Sequence, residues 1–430
     1  MKNNDTKKTA LITITVASVF LAASIGFVVF QSNRAAALAV PASGLDQDIA
    51  KQNALIVERP KEIKAYIALS GLYIQKVRET GDVSYYQTID ELLAKASAIE
   101  PENSDINAVK ANIANGRHHF LEGYQLINLA IKKNPKTVSY YGIKADAEIE
   151  LGKYDDAVAT LQTMSDMKPN YSSYARIAYI RELYGDISGA QEALRLAESA
   201  GSNFKENVAW AFVESAKLAA RSDLALAEAE YASAFAFVPD YAPALEGLGK
   251  VAFARGDTSK ATMDLSKAFE RLPLAAYAID LGDVAVSLGD DVKAKQQYAL
   301  ASLAFEKSGK SGVDTNLEYS VFLSDHGDKA EALRLARQAY LKRPSLYGAD
   351  ALAWALYQNG MAKEAEVYSA KAMVLGENDP LVVFHSAMIT ESVGDNKEAH
   401  RRYLKVNELN PHFSIYYAHV LKEKLEPTPN

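Results

Sequence analysis

The chain has 430 residues, 49% of them apolar and 23% charged, and a formal net charge of −7 at pH 7. This composition is typical of a folded protein and excludes a disordered, collagen-like or disulfide-stapled chain. The acidic balance argues against nucleic-acid binding, and the absence of cysteine excludes thiol catalysis and thiolate metal sites.

The first predicted element is a membrane-spanning helix over residues 10–30. Neither a charged residue nor a proline interrupts residues 9–33, and a helix of this length crosses a hydrocarbon core of about 30 Å. Lys2, Lys7 and Lys8 precede it, which predicts a cytoplasmic N-terminus at residues 1–9. We therefore expect a single-pass protein of the plasma or inner membrane with the rest of the chain extracytoplasmic, in the periplasm or at the cell surface.

A cleavable signal peptide is the alternative, because residues 37–39 (Ala-Leu-Ala) have the small-x-small form of a cleavage site. Residues 31–59 are rich in alanine and polar residues and contain Pro41 and Gly44, which predicts a linker that leads into the first helix after Pro60.

Residues 60–411 are predicted to form a repeat array. A glycine followed five residues later by an alanine recurs along this region, at Gly152, Gly185, Gly256, Gly289, Gly327, Gly360 and Gly394. Proline falls 17 residues after four of these glycines, at Pro169, Pro273, Pro344 and Pro411. Glycine ends a helix and proline cannot continue one, so each unit of about 34 residues predicts two helices joined by a turn.

The best unit, residues 244–273, carries Leu248-Gly249, Gly256, Ala261, Ala268 and Pro273, and in these residues it resembles a tetratricopeptide repeat (TPR). The resemblance implies an all-α, right-handed superhelical solenoid of nine or ten repeats whose first helices line a concave groove. Residues 104–135 depart from the pattern, with His118 in the place of the turn glycine, and residues 61–101 carry extra turn residues around Gly81. Residues 412–430 are predicted to form a capping helix and tail.

Nothing in the sequence points to an enzyme, a cofactor or a metal centre. The seven histidines do not show metal-ligand spacing, and neither a phosphate-binding loop nor a nucleophile elbow is present. The TPR resemblance instead implies protein–protein interaction.

In TPR proteins the groove is lined by positions 2, 5, 9, 12 and 13 of the first helix, counting the turn glycine as 15. Mapping these positions predicts an aromatic-rich groove for a peptide segment of a partner, centred on the last four of the following residues: Tyr179, Phe212, Phe253, Tyr347, Trp354, Tyr357 and Phe384. The alternative is that these aromatic side chains pack against the next repeat.

Two functions are open at this point. The first is a membrane-anchored protein-interaction scaffold that assembles partners in the cell envelope, or a secreted or periplasmic adaptor if the N-terminal segment is cleaved. The second is a self-associating structural protein of the surface or envelope, a homo-oligomer in which the groove of one solenoid takes the edge of the next.

Overall fold

The structure, a computed structural model, describes residues 44–426. The chain divides into two compact units, Met1–Ala54 and Leu55–Asn430. The boundary falls within the first described helix, α1 (Gly44–Glu58). The second unit contains the repeats and is described below.

The second unit is built from ten consecutive helical hairpins, and no strand occurs among residues 44–426. The hairpins are α2 (Ile63–Thr80) with α3 (Tyr85–Ile99), α4 (Ser104–Gly116) with α5 (Phe120–Lys133), α6 (Val138–Glu150) with α7 (Tyr154–Met167), α8 (Tyr171–Leu183) with α9 (Ile187–Ala200), α10 (Lys205–Ala219) with α11 (Leu224–Phe237), α12 (Ala242–Ala254) with α13 (Thr258–Arg271), α14 (Ala275–Ser287) with α15 (Asp291–Lys310), α16 (Asn316–His326) with α17 (Lys329–Lys342), α18 (Leu346–Gln358) with α19 (Ala362–Ala372), and α20 (Pro380–Ser392) with α21 (Asn396–Leu409). A last helix, α22 (Ala418–Leu425), follows. The all-α prediction is confirmed for the described residues, and the hairpins are consistent with a TPR-type solenoid.

The conformation of the turn within a hairpin explains why a regularly spaced glycine predicts that turn. Gly256 has a φ of 82°, the left-handed conformation that ends α12 without a steric penalty. The next residue, Asp257, caps α13 by accepting a hydrogen bond from the backbone N–H of Lys260 at 2.9 Å. The two residues together reverse the chain within a few residues.

Small residues let the two helices of a hairpin approach closely. Ala261 and Ala268 on α13 are completely buried, as is Leu265 between them. Gly249 on α12 faces Leu265, and a Cβ added at this glycine would lie 2.8 Å from Leu265 Cγ. The regularly spaced alanines in the sequence therefore form the packing surface of the second helix.

Three segments differ from the sequence-based expectation. Residues 44–58 form helix α1 although we assigned them to the linker; Pro41 and Gly44 precede the body of this helix, which consists of good helix formers. Helix α15 has 20 residues, which accounts for the longer spacing between Gly289 and Gly327. At the C-terminus, α22 covers only Ala418–Leu425, and residues 411–417 form turns and bends.

Contacts between distant repeats form a seam that joins successive turns of the superhelix. In the seam, the turn inside one hairpin packs against the junction between two hairpins 192 to 196 residues later. Tyr154, which follows the turn of the third hairpin, accepts a hydrogen bond from the N–H of Leu346 at 2.7 Å. Asn378 donates to the carbonyl of Leu183 at 3.1 Å. One superhelical turn thus contains between five and six repeats.

The irregular turn of the second repeat, at His118, belongs to this seam. His118 has a φ of 63°, so it adopts the conformation that glycine adopts in other repeats. Its Nδ1 lies 2.9 Å from the carbonyl oxygen of Asp314, and the N–H of Asp314 donates to the carbonyl of Arg117 at 2.9 Å. The histidine replaces glycine where its ring can bond to the next superhelical turn.

No helix among residues 44–426 is long and apolar enough to cross a membrane. The predicted membrane span over residues 10–30, like residues 1–9 and most of the predicted linker, lies outside the described residues.

We expect Arg343→Met to destabilise the solenoid by about 3 kcal/mol, because it leaves a largely buried carboxylate unpaired. Arg343 binds Glu150 of the previous superhelical turn at 2.5 Å and Glu318 at 2.8 Å, and only 15% of the Glu150 side chain is exposed. Urea unfolding followed by circular dichroism measures the loss, and small-angle scattering measures the accompanying increase in radius of gyration.

Arg401→Met is the matched control, since Arg401 also binds two carboxylates but is 49% exposed and lies outside the seam. Its effect should be about 1 kcal/mol or less. Equal effects of the two substitutions, with no change in radius, would contradict a structural role for the seam.

Candidate functional site

The concave face of the solenoid is formed mainly by the first helices of the hairpins and is narrow. Gln75 on α2 donates to Glu206 on α10, 131 residues later, at 3.3 Å. Arg78, one turn further along α2, reaches the same carboxylate at 3.1 Å. Side chains of helices four repeats apart therefore meet across the inner face, which divides the concave face into separate regions.

One region is an open pocket with a volume of about 370 Å³, lined mainly by α2, α6, α8 and α10. Three half-buried aromatic side chains form its apolar surface: Tyr171, Tyr179 and Trp210. We call this region the open pocket. Its size suits one or two side chains of a bound segment.

The charged groups around the open pocket are already paired. Arg176 makes two bonds of 2.7 Å to Asp146, and Arg221 binds Glu182 at 2.5 Å. Burial raises the pKa of Glu182, an effect that Arg221 opposes. Because these charges satisfy one another, the aromatic surfaces are the groups that remain for recognition.

The predicted groove residues do not form one continuous surface. Tyr179 lies in the open pocket, where burial raises its pKa, so it remains a neutral phenol. Tyr347 lies near the seam and donates to Asp379 at 3.2 Å. Phe212 packs within its own hairpin, with its ring 6.3 Å from that of Phe237. Whether any of them binds a partner stays a prediction.

The other four predicted residues contact or lie close to the C-terminal segment, which we define as residues 411–426. Trp354 and Phe384 are buried, and Tyr357 stacks on Trp354 at 5.0 Å. Trp354 also stacks on His385 of the next repeat at 4.1 Å, as the alternative interpretation expected. Phe253 packs against the same small core cluster as Ile415 of the C-terminal segment.

Beneath the C-terminal segment lies a group of buried titratable side chains on α14 and α16. Asp283 accepts a hydrogen bond from Tyr298 at 2.8 Å and lies 3.3 Å from His326 Nε2. Burial raises the pKa of Asp283 to about 8 and lowers the pKa of His326 to about 4. At neutral pH the pair therefore holds one proton, on the carboxyl group, and carries no charge.

A second acidic group lies beside it. Lys250 on α12 binds both Glu246 and Asp280, the latter at 3.2 Å. Burial raises the pKa of Asp280 to about 7, while Lys250 lowers the pKa of Glu246.

The mapping from the TPR resemblance missed several residues of the open pocket. Asp146 occupies position 9 of its helix, as Tyr179 does, and the same mapping could have found it. Trp210 and Arg176 occupy positions 3 and 6, which the mapping does not include. They reach the pocket because the inner face is narrow.

Among residues 44–426 no group of three or more ligating side chains is placed to hold a metal ion. The described concave face offers aromatic surfaces, paired charges and hydrogen-bonding phenols.

The fold and this face define a TPR-like helical solenoid. No known family profile matches the chain, and no curated protein matches it. Solved structures that resemble it include the APC/C hetero-tetramer Cut9–Hcn1 (TM-score 0.37, 16% identity), PilW, a widely conserved type IV pilus biogenesis factor (0.40, 18%), and yeast Tom70 (0.35, 16%).

The matches cover 85%, 48% and 93% of this chain and 64%, 97% and 95% of those chains, respectively. The chain thus spans less than two thirds of the first of these. At such identities and TM-scores, these likenesses bear on neither partner nor process.

The Asp283–His326 pair predicts a specific dependence of stability on pH. Between pH 4 and 6.5 the folded pair keeps its proton on Asp283 and the unfolded pair keeps one on His326, so their contributions cancel. Between pH 6.5 and 8 only the folded pair retains a proton, and its contribution to stability falls by about 2 kcal/mol as the pH rises.

Asp283→Asn removes this titration, so the stability difference between the wild type and the variant should change over that pH range. Thermal unfolding at pH 6.5 and 8 measures it, with Asp291→Asn, at an exposed aspartate, as the control. Parallel pH profiles for the wild type and Asp283→Asn would show that the pair does not share a proton.

Proposed function

We propose that this protein is an interaction scaffold that holds a segment of a partner protein in the open pocket of its concave face. The observation that carries the proposal is the pocket itself: Tyr171, Tyr179 and Trp210 converge on an opening of about 370 Å³. Aromatic side chains in a sheltered cleft are the groups that contribute most to binding proteins.

The paired charges around the pocket support this function and indicate the kind of segment. Arg176 is neutralised by Asp146, and Glu182 by Arg221, so the pocket offers no free charge of either sign from these groups. A segment that inserts an apolar or aromatic side chain fits this surface better than a charged one, whose desolvation would not be compensated.

The proposed location follows from the sequence. Residues 10–30 would anchor the protein as a single span in the plasma or inner membrane, with the solenoid on the extracytoplasmic side. Partners would then be proteins of the cell envelope, and the scaffold would assemble them there. Cleavage after residues 37–39 would instead release a secreted or periplasmic adaptor.

We expect Trp210→Ala to reduce partner capture at least tenfold. A photocrosslinking amino acid at Glu214, on the rim of the pocket, would report capture in the full chain in native membranes. The same crosslinker at Leu341, which is 83% exposed and outside the pocket, is the control. Thermal unfolding of the variant must stay within a few degrees of wild type.

Crosslinks of equal yield from the two positions, insensitive to Trp210→Ala, would contradict the proposal. Crosslinks from Glu214 to a second copy of this chain would identify the self-associating alternative.

The anchor makes a separate prediction. The full chain should remain with membranes after carbonate extraction, and deletion of residues 10–30 should release it. Protease added to intact cells, after removal of an outer membrane where one is present, should degrade the solenoid. A protected solenoid would contradict the proposed topology, and a mature N-terminus at Val40 would demonstrate cleavage.

A further inference from the structure

The C-terminal segment packs against the tenth repeat and also reaches earlier repeats. In a solenoid each unit contacts its neighbours. Ile415 packs against the cluster formed by Leu265, Leu281 and Val284, which belong to the sixth and seventh of the ten repeats. Tyr416 lies against His326 in the eighth repeat. The segment therefore crosses the concave face of several repeats, as a bound peptide would.

Three aromatic side chains hold the segment on this face. Phe413 contacts Phe384, with ring centroids 5.1 Å apart, and Tyr417 contacts the same ring at 4.9 Å. Tyr417 also lies edge-on to Trp354 at 5.9 Å. Tyr416 stands edge-on to the His326 ring at 4.7 Å. The pattern of anchors is Phe-x-x-Tyr-Tyr.

Two carboxylates, those of Asp325 and Glu391, accept hydrogen bonds from polar groups of the segment. The Tyr417 hydroxyl donates to Asp325 Oδ1 at 2.5 Å, and Trp354 Nε1 donates to the same oxygen at 2.6 Å. Seven residues after Tyr417, Lys424 donates to Glu391 at 2.6 Å. An acidic segment would meet Asp325 and Glu391 unfavourably, whereas the Tyr417 hydroxyl and the Lys424 ammonium group of this segment bind them.

A partly open cleft of about 330 Å³ lies between the segment and helices α12 and α14, and is lined by Phe253, Asp280 and Asp283 among others. Helix α22 has 8 residues, too few to be stable alone, so its order depends on these side-chain contacts.

We infer that the face formed by Asp325, His326, Trp354 and Phe384 is a recognition site for a partner segment with the pattern Phe-x-x-Tyr-Tyr followed by a basic helix. In this structure the C-terminal segment fills the site. The inference rests on the proposed function only in treating the concave face as a binding surface; it concerns a different region from the open pocket.

A labelled peptide with the sequence of residues 410–426 serves as the probe. The receptor is the full chain with Tyr416→Ala and Tyr417→Ala, which release its own segment. We expect the peptide to bind this variant at least tenfold more tightly than wild type, since a tethered competitor acts at an effective concentration of about millimolar.

Two control peptides test the chemistry. Tyr417→Phe in the peptide should weaken binding about tenfold, because it removes the hydrogen bond to Asp325. Replacing all three aromatic anchors with alanine should abolish binding. Adding Trp210→Ala to the receptor should leave the peptide affinity unchanged, so failure of the open pocket and failure of this site are distinguishable.

No binding of the peptide to a folded receptor would overturn the inference. Hydrogen exchange on the wild-type chain provides a second test should the variant fail to fold. A segment that a partner can replace must leave the face while the repeats stay folded. The backbone amides of α22 should therefore exchange with solvent at least a hundredfold faster than those of α18 and α20. Equal exchange rates would identify a permanent cap and also overturn the inference.

Discussion

The seam between successive superhelical turns is the constraint on which the rest of the second unit depends. Arg343 joins Glu150 of one superhelical turn to Glu318 of the next, and Asn378 and His118 make equivalent connections at other repeats. These contacts hold the concave face narrow. A wide groove would expose one continuous surface, whereas this narrow face contains an open pocket at one end and a covered region at the other.

The hairpins could be predicted from the sequence because their causes are local. Gly256 ends a helix, Asp257 begins the next, and Ala261 allows close packing, all within a few residues. The seam could not be predicted in this way. Its position depends on small rotations that accumulate over five repeats, and no single motif encodes their sum. His118, which departs from the repeat pattern, is a local sign of the seam in the sequence.

The candidate site was predictable only in part for the same reason. Position within a first helix predicts which side chains face inward, and Tyr179, at such a position, lines the open pocket. It does not indicate what lies opposite. Trp354 and Phe384 face inward too, but the C-terminal segment covers them, and that segment follows Pro411 where the repeat pattern ends. Trp210 occupies position 3 of its helix, which would lie outside the open pocket if the superhelix were wider.

Buried charge distinguishes the two regions of the concave face. Around the open pocket, Arg176 and Asp146 satisfy each other, so the aromatic surface can remain exposed without leaving an unpaired charge. In the covered region, the Asp325 carboxylate is held by donors from Trp354 and Tyr417, and burial raises its pKa. Removing the C-terminal segment would take away one of these donors while exposing the aromatic rings. A segment that covers this region therefore has to supply a phenol that donates a hydrogen bond to Asp325. Exchange of the C-terminal segment for a similar segment is favoured over a state in which the region is left uncovered.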